Sequence, residues 1–159
     1  MIREDFLAVM AAHPSGVAVV TTVDAEGLPR GLTTTAFASA SADPPLLTVC
    51  VDRTSRTLPA LLHTRRFVVN LMKSGHDAAC AVFAAKGDDK FSHIAWAPSP
   101  SGLPVLDESA TAWVECRVER DLDVGDHVLL VGRVEHGRPP EDVCEPLVYF
   151  RRAYAPMPR

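Results

Sequence analysis

The chain has 159 residues, 47% hydrophobic and 23% charged, a balance that suits one globular domain with its own core and excludes a disordered or disulfide-stapled chain. Its formal net charge is −4, and its three lysines, Lys73, Lys86 and Lys90, form no basic stripe with the arginines, so no nucleic-acid partner is expected. No apolar run approaches membrane-spanning length, and Glu4-Asp5 ahead of Phe6-Leu7-Ala8-Val9-Met10 does not suit a signal peptide, so the expectation is a cytoplasmic protein with no membrane partner.

Residues 3–13 read as an opening helix, with Phe6, Val9, Met10 and His13 at helical spacing and two acidic residues in the first turn. Pro14-Ser15-Gly16 ends it. The β-branched run 16–23 predicts a strand, and Asp24-Ala25-Glu26-Gly27 a tight turn into the next. From Gly31 an extended run of small and hydroxyl-bearing residues continues until Asp43-Pro44-Pro45, where two prolines without donors stop it. The apolar strand 46–51 follows, and strand, turn and extended run are expected to form one antiparallel meander with it.

Beyond the polar cluster 52–57 the spacing predicts a short helix over 58–62, with Pro59 in its first turn, and a strand over 66–71. Residues 75–86 read as a helix and 88–106 as a long loop of the kind that often forms a lid or partner surface. Residues 110–119 alternate, with Ala112, Val114, Cys116 and Val118 facing inward and Trp113, Glu115, Arg117 and Glu119 facing solvent. Strands over 127–134 and 147–150 complete a set of about seven strands and three helical pieces without β–α–β alternation. The reading is a single domain over 1–159, mainly β, an antiparallel barrel with a few peripheral helices.

The four cysteines, Cys50, Cys80, Cys116 and Cys144, show no paired spacing, so neither a metal site nor a disulfide is expected. The glycine fingerprint of dinucleotide-binding folds, the P-loop and paired zinc histidines are absent from the sequence. The chemistry concentrates in 31–57. Small residues there let a flat ring approach the backbone, while Ser55, Arg56 and Thr57, with Arg53 beside them, place hydroxyls and guanidinium groups at a helix start, a set that suits a phosphate. A planar, phosphorylated cofactor is the reading. The same residues would also serve a plain hairpin with a capped helix and solvated arginines.

From GVAVVTT (16–22) through GLTTTAF, SADPPLLTVCVDRTSRT, DKF, GDH and LVYFRRAY, the chain resembles the flavin reductase family of two-component monooxygenase systems, which uses the FMN-binding split barrel. The resemblance implies the split, Greek-key-like version of the antiparallel barrel, a homodimer with the flavin at the subunit interface, and a flavin-dependent monooxygenase component as partner. It implies FMN or FAD as flavin and NADH or NADPH as reductant, with hydride passing between the cofactors and no catalytic side chain. Thr33, Thr34, Thr35 and Ala36 would run along the isoalloxazine edge with Phe37, and Cys50, Val51 and Asp52 would join them. Arg53, Ser55, Arg56 and Thr57 would take the phosphate; Phe83, Lys90, Phe91, Tyr149 and Arg152 would complete the flavin site, with Tyr154 near its end. His127, in the Gly125-Asp126-His127 turn, would contact the nicotinamide. Ala36 stands where many relatives carry serine, and His76-Asp77 lie near where relatives carry a glutamine. Two other readings of the same barrel are a flavoprotein with permanently held FMN and another electron acceptor, and a non-enzymatic flavin or haem carrier.

Overall fold

A run of β-branched residues can serve as a central strand when both of its faces find apolar cover. In the computed structural model, which describes residues 1–140 and 144–156, the run after Gly16 does so, and Val17 to Val20 are buried to within 2% of full exclusion. The elements in chain order are α1 (Arg3–Ala11), β1 (Ser15–Gly16), β2 (Ala18–Val23), β3 (Pro29–Thr34), β4 (Phe37–Ala42), β5 (Pro45–Asp52) and α2 (Leu58–Thr64). They continue with β6 (Arg66–Met72), α3 (Asp77–Ala84), β7 (Ala97–Pro98), β8 (Pro104–Val105), β9 (Ala110–Val124), β10 (His127–Arg138), β11 (Leu147–Phe150) and β12 (Ala153–Pro156).

Seven strands form one antiparallel sheet in the order β3-β2-β6-β9-β10-β5-β4. Its two edge strands, β3 and β4, are consecutive in the chain and joined only by Thr35 and Ala36. So short a link forces the two edges of the sheet to meet, which curls it into a barrel that stays split along this seam. The seam is tied by Cys50, whose N–H donates to the carbonyl of Ala36 at 2.8 Å. Alternate residues of the strands, among them Val20, Val49, Val51, Val69, Val118 and Leu130, fill the interior around Phe67, and Leu58 and Leu61 of α2 pack against them.

The single meander expected from the sequence is therefore corrected. The extended run breaks after Thr34, whose hydroxyl accepts the N–H of Ala36 at 3.0 Å, and the two halves pair with different partners: β3 with β2, β4 with β5. Outside the barrel, α3 lays Ala79, Cys80 and Phe83 against Val17, Val19, Met72 and Leu147 in a second core. The short sheet β1-β11-β12 closes that side.

Strand β9 brings another correction. Glu115, expected to face solvent, is fully buried, because part of the expected loop 88–106 forms the small β7–β8 hairpin and folds over that face, with Leu103 and Val105 packed on Val68. The carboxylate accepts from Arg66 Nη1 at 3.1 Å and from the Ser101 N–H at 3.4 Å, and Arg66 continues to Glu135 at 2.9 Å. Burial alone would raise the Glu115 pKa, but the hydrogen bonds from Ser101 and Ser99 outweigh it and hold the group below its ordinary value.

Helix α1 departs from expectation in the opposite sense. Its apolar residues have the spacing of a core-facing stripe, yet none is buried: Phe6 is 53% exposed and Met10 45%. No helix among the described residues is long and apolar enough to cross a membrane, and all four cysteines are free.

Candidate functional site

The seam opens into a cavity of about 520 Å³. Its wall is the end of β3 and the link, Thr33 to Ala36, faced by Cys50, Val51 and Asp52 at the end of β5. Thr54, Ser55 and Arg56 of the following loop form one end, and Phe83 and Ala84 of α3 with Ala85 to Gly87 and Lys90 of the segment after it complete the lining. His127, the first residue of β10, stands opposite Asp52 in the strand register and reaches the same cavity. The site thus draws on segments spread from residue 32 to residue 127, brought together by barrel closure.

Several of its polar groups are already engaged within the chain. The Thr33 hydroxyl donates to the Cys80 carbonyl at 2.6 Å, tying the cavity wall to α3. Asp52 Oδ1 accepts both the N–H and the hydroxyl of Thr54 at 2.7 Å, and these bonds hold its carboxyl below the ordinary range. Lys90 donates to the carbonyls of Phe83 and Gly31 at 2.8 and 3.1 Å; burial, and then the charge of Arg56, lower its pKa. This lysine is an internal clamp rather than a solvated loop cation. Arg56 stays 62% exposed, with Nη1 on the Asp88 carboxylate at 3.2 Å. His127 Nδ1 lies 2.7 Å from Asp126 Oδ1, a contact that depresses the Asp126 pKa.

Of the residues singled out from sequence, Thr33, Thr34, Thr35, Ala36, Cys50, Val51, Asp52, Ser55, Arg56, Phe83, Lys90 and His127 line this cavity. Seven others lie elsewhere, two of them Phe37, which begins β4 outside this lining, and Tyr154, whose ring packs edge-on against Tyr149. Arg53 turns to Asp123 at 2.5 Å and to the Gly125 carbonyl at 3.3 Å, holding the β9–β10 tip against the loop. Thr57 is buried and donates to the Gly31 carbonyl at 3.0 Å, fastening α2 to β3. Phe91 packs edge-on against Phe83 with ring centroids 4.9 Å apart, behind the cavity wall. Tyr149 and Arg152 line a second groove of about 750 Å³ beneath α1, together with Leu7, Met10 and Phe37. The groove joins the cavity through Thr35, Ala36 and Cys50, which line both.

Gly31 needs a different explanation from the one its setting suggested. A side chain there would meet the Phe83 ring at 2.8 Å, so the flat ring that this glycine admits is the protein's own. Thr54, Lys86 and Gly87 line the cavity and were missed. Thr54 sits inside the hydroxyl cluster and was legible there, whereas Lys86 reads as the tail of a helix until that helix is seen to stop at Ala84.

The arrangement combines a half-buried wall with a cationic end, Arg56 and Lys86, at an open mouth. Its volume falls in the range of small-molecule sites, and its donors suit an elongated ligand with one anionic terminus. Burial raises the Cys50 thiol, so it offers no ready thiolate, and among the described residues no cluster suits a metal ion.

Residues 10–158 match the model of the flavin reductase like domain. The flavin reductase (NADH) of Kitasatospora aureofaciens is 46% identical over 156 residues, covering 98% of this chain and 82% of that protein. The flavin reductase (NADPH) of Lentzea aerocolonigenes is 39% identical over 152 residues, covering 95% and 88%. Among solved structures, nitrilotriacetate monooxygenase component B from Mycobacterium thermoresistibile superposes with a TM-score of 0.92 at 34% identity, covering 98% of this chain and 87% of that one.

Proposed function

The chain belongs to the flavin reductase like family and is an NAD(P)H-dependent oxidoreductase, and from that premise we propose that the seam cavity holds the flavin while it is reduced. The observation that carries this reading is the continuity of the seam wall with the Arg56–Lys86 end in one cavity. When bound, flavin and reduced nicotinamide supply the hydride acceptor and donor themselves. The chain's residues position and shield. The wall from Thr33 to Ala36 would lie along the ring, Ser55, Arg56 and Lys86 would hold the phosphate, and Phe83 would fix the back of the site. Orientation without an acid–base pair is sufficient for such a transfer.

NADH and free FMN are the substrates to test first. Fast NADH oxidation that scales with excess free flavin supports the reading. Turnover indifferent to added flavin would replace it with a permanently bound flavin and another acceptor. Reduced flavin is proposed to pass to a separate monooxygenase component, a reading supported by the likeness to a protein named as one component of a monooxygenase.

His127 is proposed to receive the nicotinamide, since it stands at the cavity rim with one ring nitrogen fixed by Asp126 and the other edge free to face a ligand. His127→Ala should raise the KM for NADH about two- to tenfold, the scale of one hydrogen bond, and leave flavin affinity unchanged. A drop in kcat as well would mean that the imidazole also aligns the donor. Steady-state kinetics with varied NADH at saturating flavin decide it; unchanged parameters remove the role.

A homodimer is proposed from the groove beneath α1. Exposed Leu7 and Met10 line a groove continuous with the flavin cavity, Phe6 and Val9 of the same helix are exposed beside them in the chain, and a second copy would cover helix and groove together. Sedimentation should give about twice the 17.2 kDa of one chain. A monomer that turns over flavin would remove the shared-site reading.

A further inference from the structure

Beside the phosphate end of the cavity lies a small recess that shares Arg56, Gly87 and Lys90 with it and adds Arg30 and the carboxylate of Asp88. Arg56 Nη1 lies 3.3 Å from Asp88 Oδ1 and 3.2 Å from Oδ2. Arg30 approaches the same carboxylate at 3.8 Å while its Nε and Nη2 remain on Asp24 at 2.8 Å. Lys90, close enough to feel both Arg56 and Asp88, is committed to two backbone carbonyls. Arg56 is therefore the cation here with an exposed, exchangeable partner: Asp88 is 72% accessible and borders Gly87, around which a side chain would meet open space.

A phosphate and the Asp88 carboxylate accept from the same guanidinium, and their charges repel at close range. Resting on the assignment of the flavin phosphate to Arg56, we infer that Asp88 is a built-in competitor for that guanidinium and loosens the protein's hold on the phosphate. The consequence suits a reductase that must release reduced flavin. A phosphate set against full, unopposed cationic charge would leave more slowly. The opposite possibility, that Asp88 holds Arg56 ready for the phosphate, predicts the opposite sign.

The test is titration of oxidised FMN and of riboflavin, which lacks the phosphate, into wild type, Asp88→Asn, Arg56→Ala and the double variant. Asp88→Asn should tighten FMN binding about two- to fivefold, the scale of an exposed ion pair, with riboflavin unchanged. The gain should vanish in the Arg56→Ala background and shrink in about 1 M salt, where the screening length is about 3 Å. If wild type prefers FMN to riboflavin but Asp88→Asn leaves FMN binding unchanged or weaker, the competitor role is overturned and the Arg56 phosphate site stands. If wild type binds FMN and riboflavin alike, the phosphate assignment falls, and the inference with it.

Discussion

Gly132→Ala is expected to lower the thermal midpoint by roughly 2–12 °C. Gly132 lies on β10 at a shift in the register against β9, opposite Leu47 of β5. A Cβ there would come within 2.6 Å of the Phe67 ring and 2.9 Å of the Cys116 Cβ. Both neighbours are fully buried in the barrel, so neither can swing into solvent to make room. Overpacking of this kind costs about 1–3 kcal/mol, and for a chain of this length each kcal/mol lowers the midpoint by about 2–4 °C. Gly87→Ala is the comparison, since a Cβ there meets nothing within 4 Å and the residue lacks a left-handed φ. Calorimetry of the two variants side by side checks the argument, and equal midpoints would refute it.

Arg56→Ala should weaken FMN binding tenfold or more with the fold intact. A charge-assisted hydrogen bond is worth about 1.5–3 kcal/mol, or about ten- to over a hundredfold in affinity. The competition from Asp88 and the exposure of Arg56 place the expectation at the lower part of that range. Riboflavin affinity should be nearly unchanged, and so should the thermal midpoint, because the side chain contributes no buried packing. Fluorescence titration with both flavins separates a phosphate contact from general damage to the site. Unchanged FMN affinity would move the phosphate to another part of the cavity, with Lys86 the next cation to test.

The β character, the antiparallel order and the stretch that carries the cavity were legible because they rest on local patterns. Period-two alternation, the Asp24–Gly27 turn and the hydroxyl–arginine cluster each announce themselves within a few residues. What escaped was set at long range. The run from Gly31 to Ala42 looks uniform in sequence, and nothing local says that its halves belong to opposite edges of a sheet. Glu115 reads as a solvent-facing carboxylate until the β7–β8 hairpin folds over it, and that hairpin consists of two-residue strands rich in proline. Thr57 and Arg53 carry the chemistry of an anion site, but the carbonyl of Gly31 and the carboxylate of Asp123 claim them first. Exposed apolar residues on α1 follow the same logic: the helical period is correct, while no part of the described residues buries them.

The link Thr35–Ala36 also bears on how the barrel comes into being. Strands adjacent in a chain usually zip together first as a hairpin, yet β3 and β4 sit at the two ends of a seven-strand order and do not pair with one another. The link keeps the facing ends of β3 and β4 close from the outset, but the five strands between them must pair before the seam has fixed walls, a search dominated by distant contacts, the slow regime of folding. The wall of the cavity is made of that seam. A chain still assembling has no site to offer, and a ligand that spans the seam binds only the finished barrel, so that occupancy itself shifts the balance away from opening.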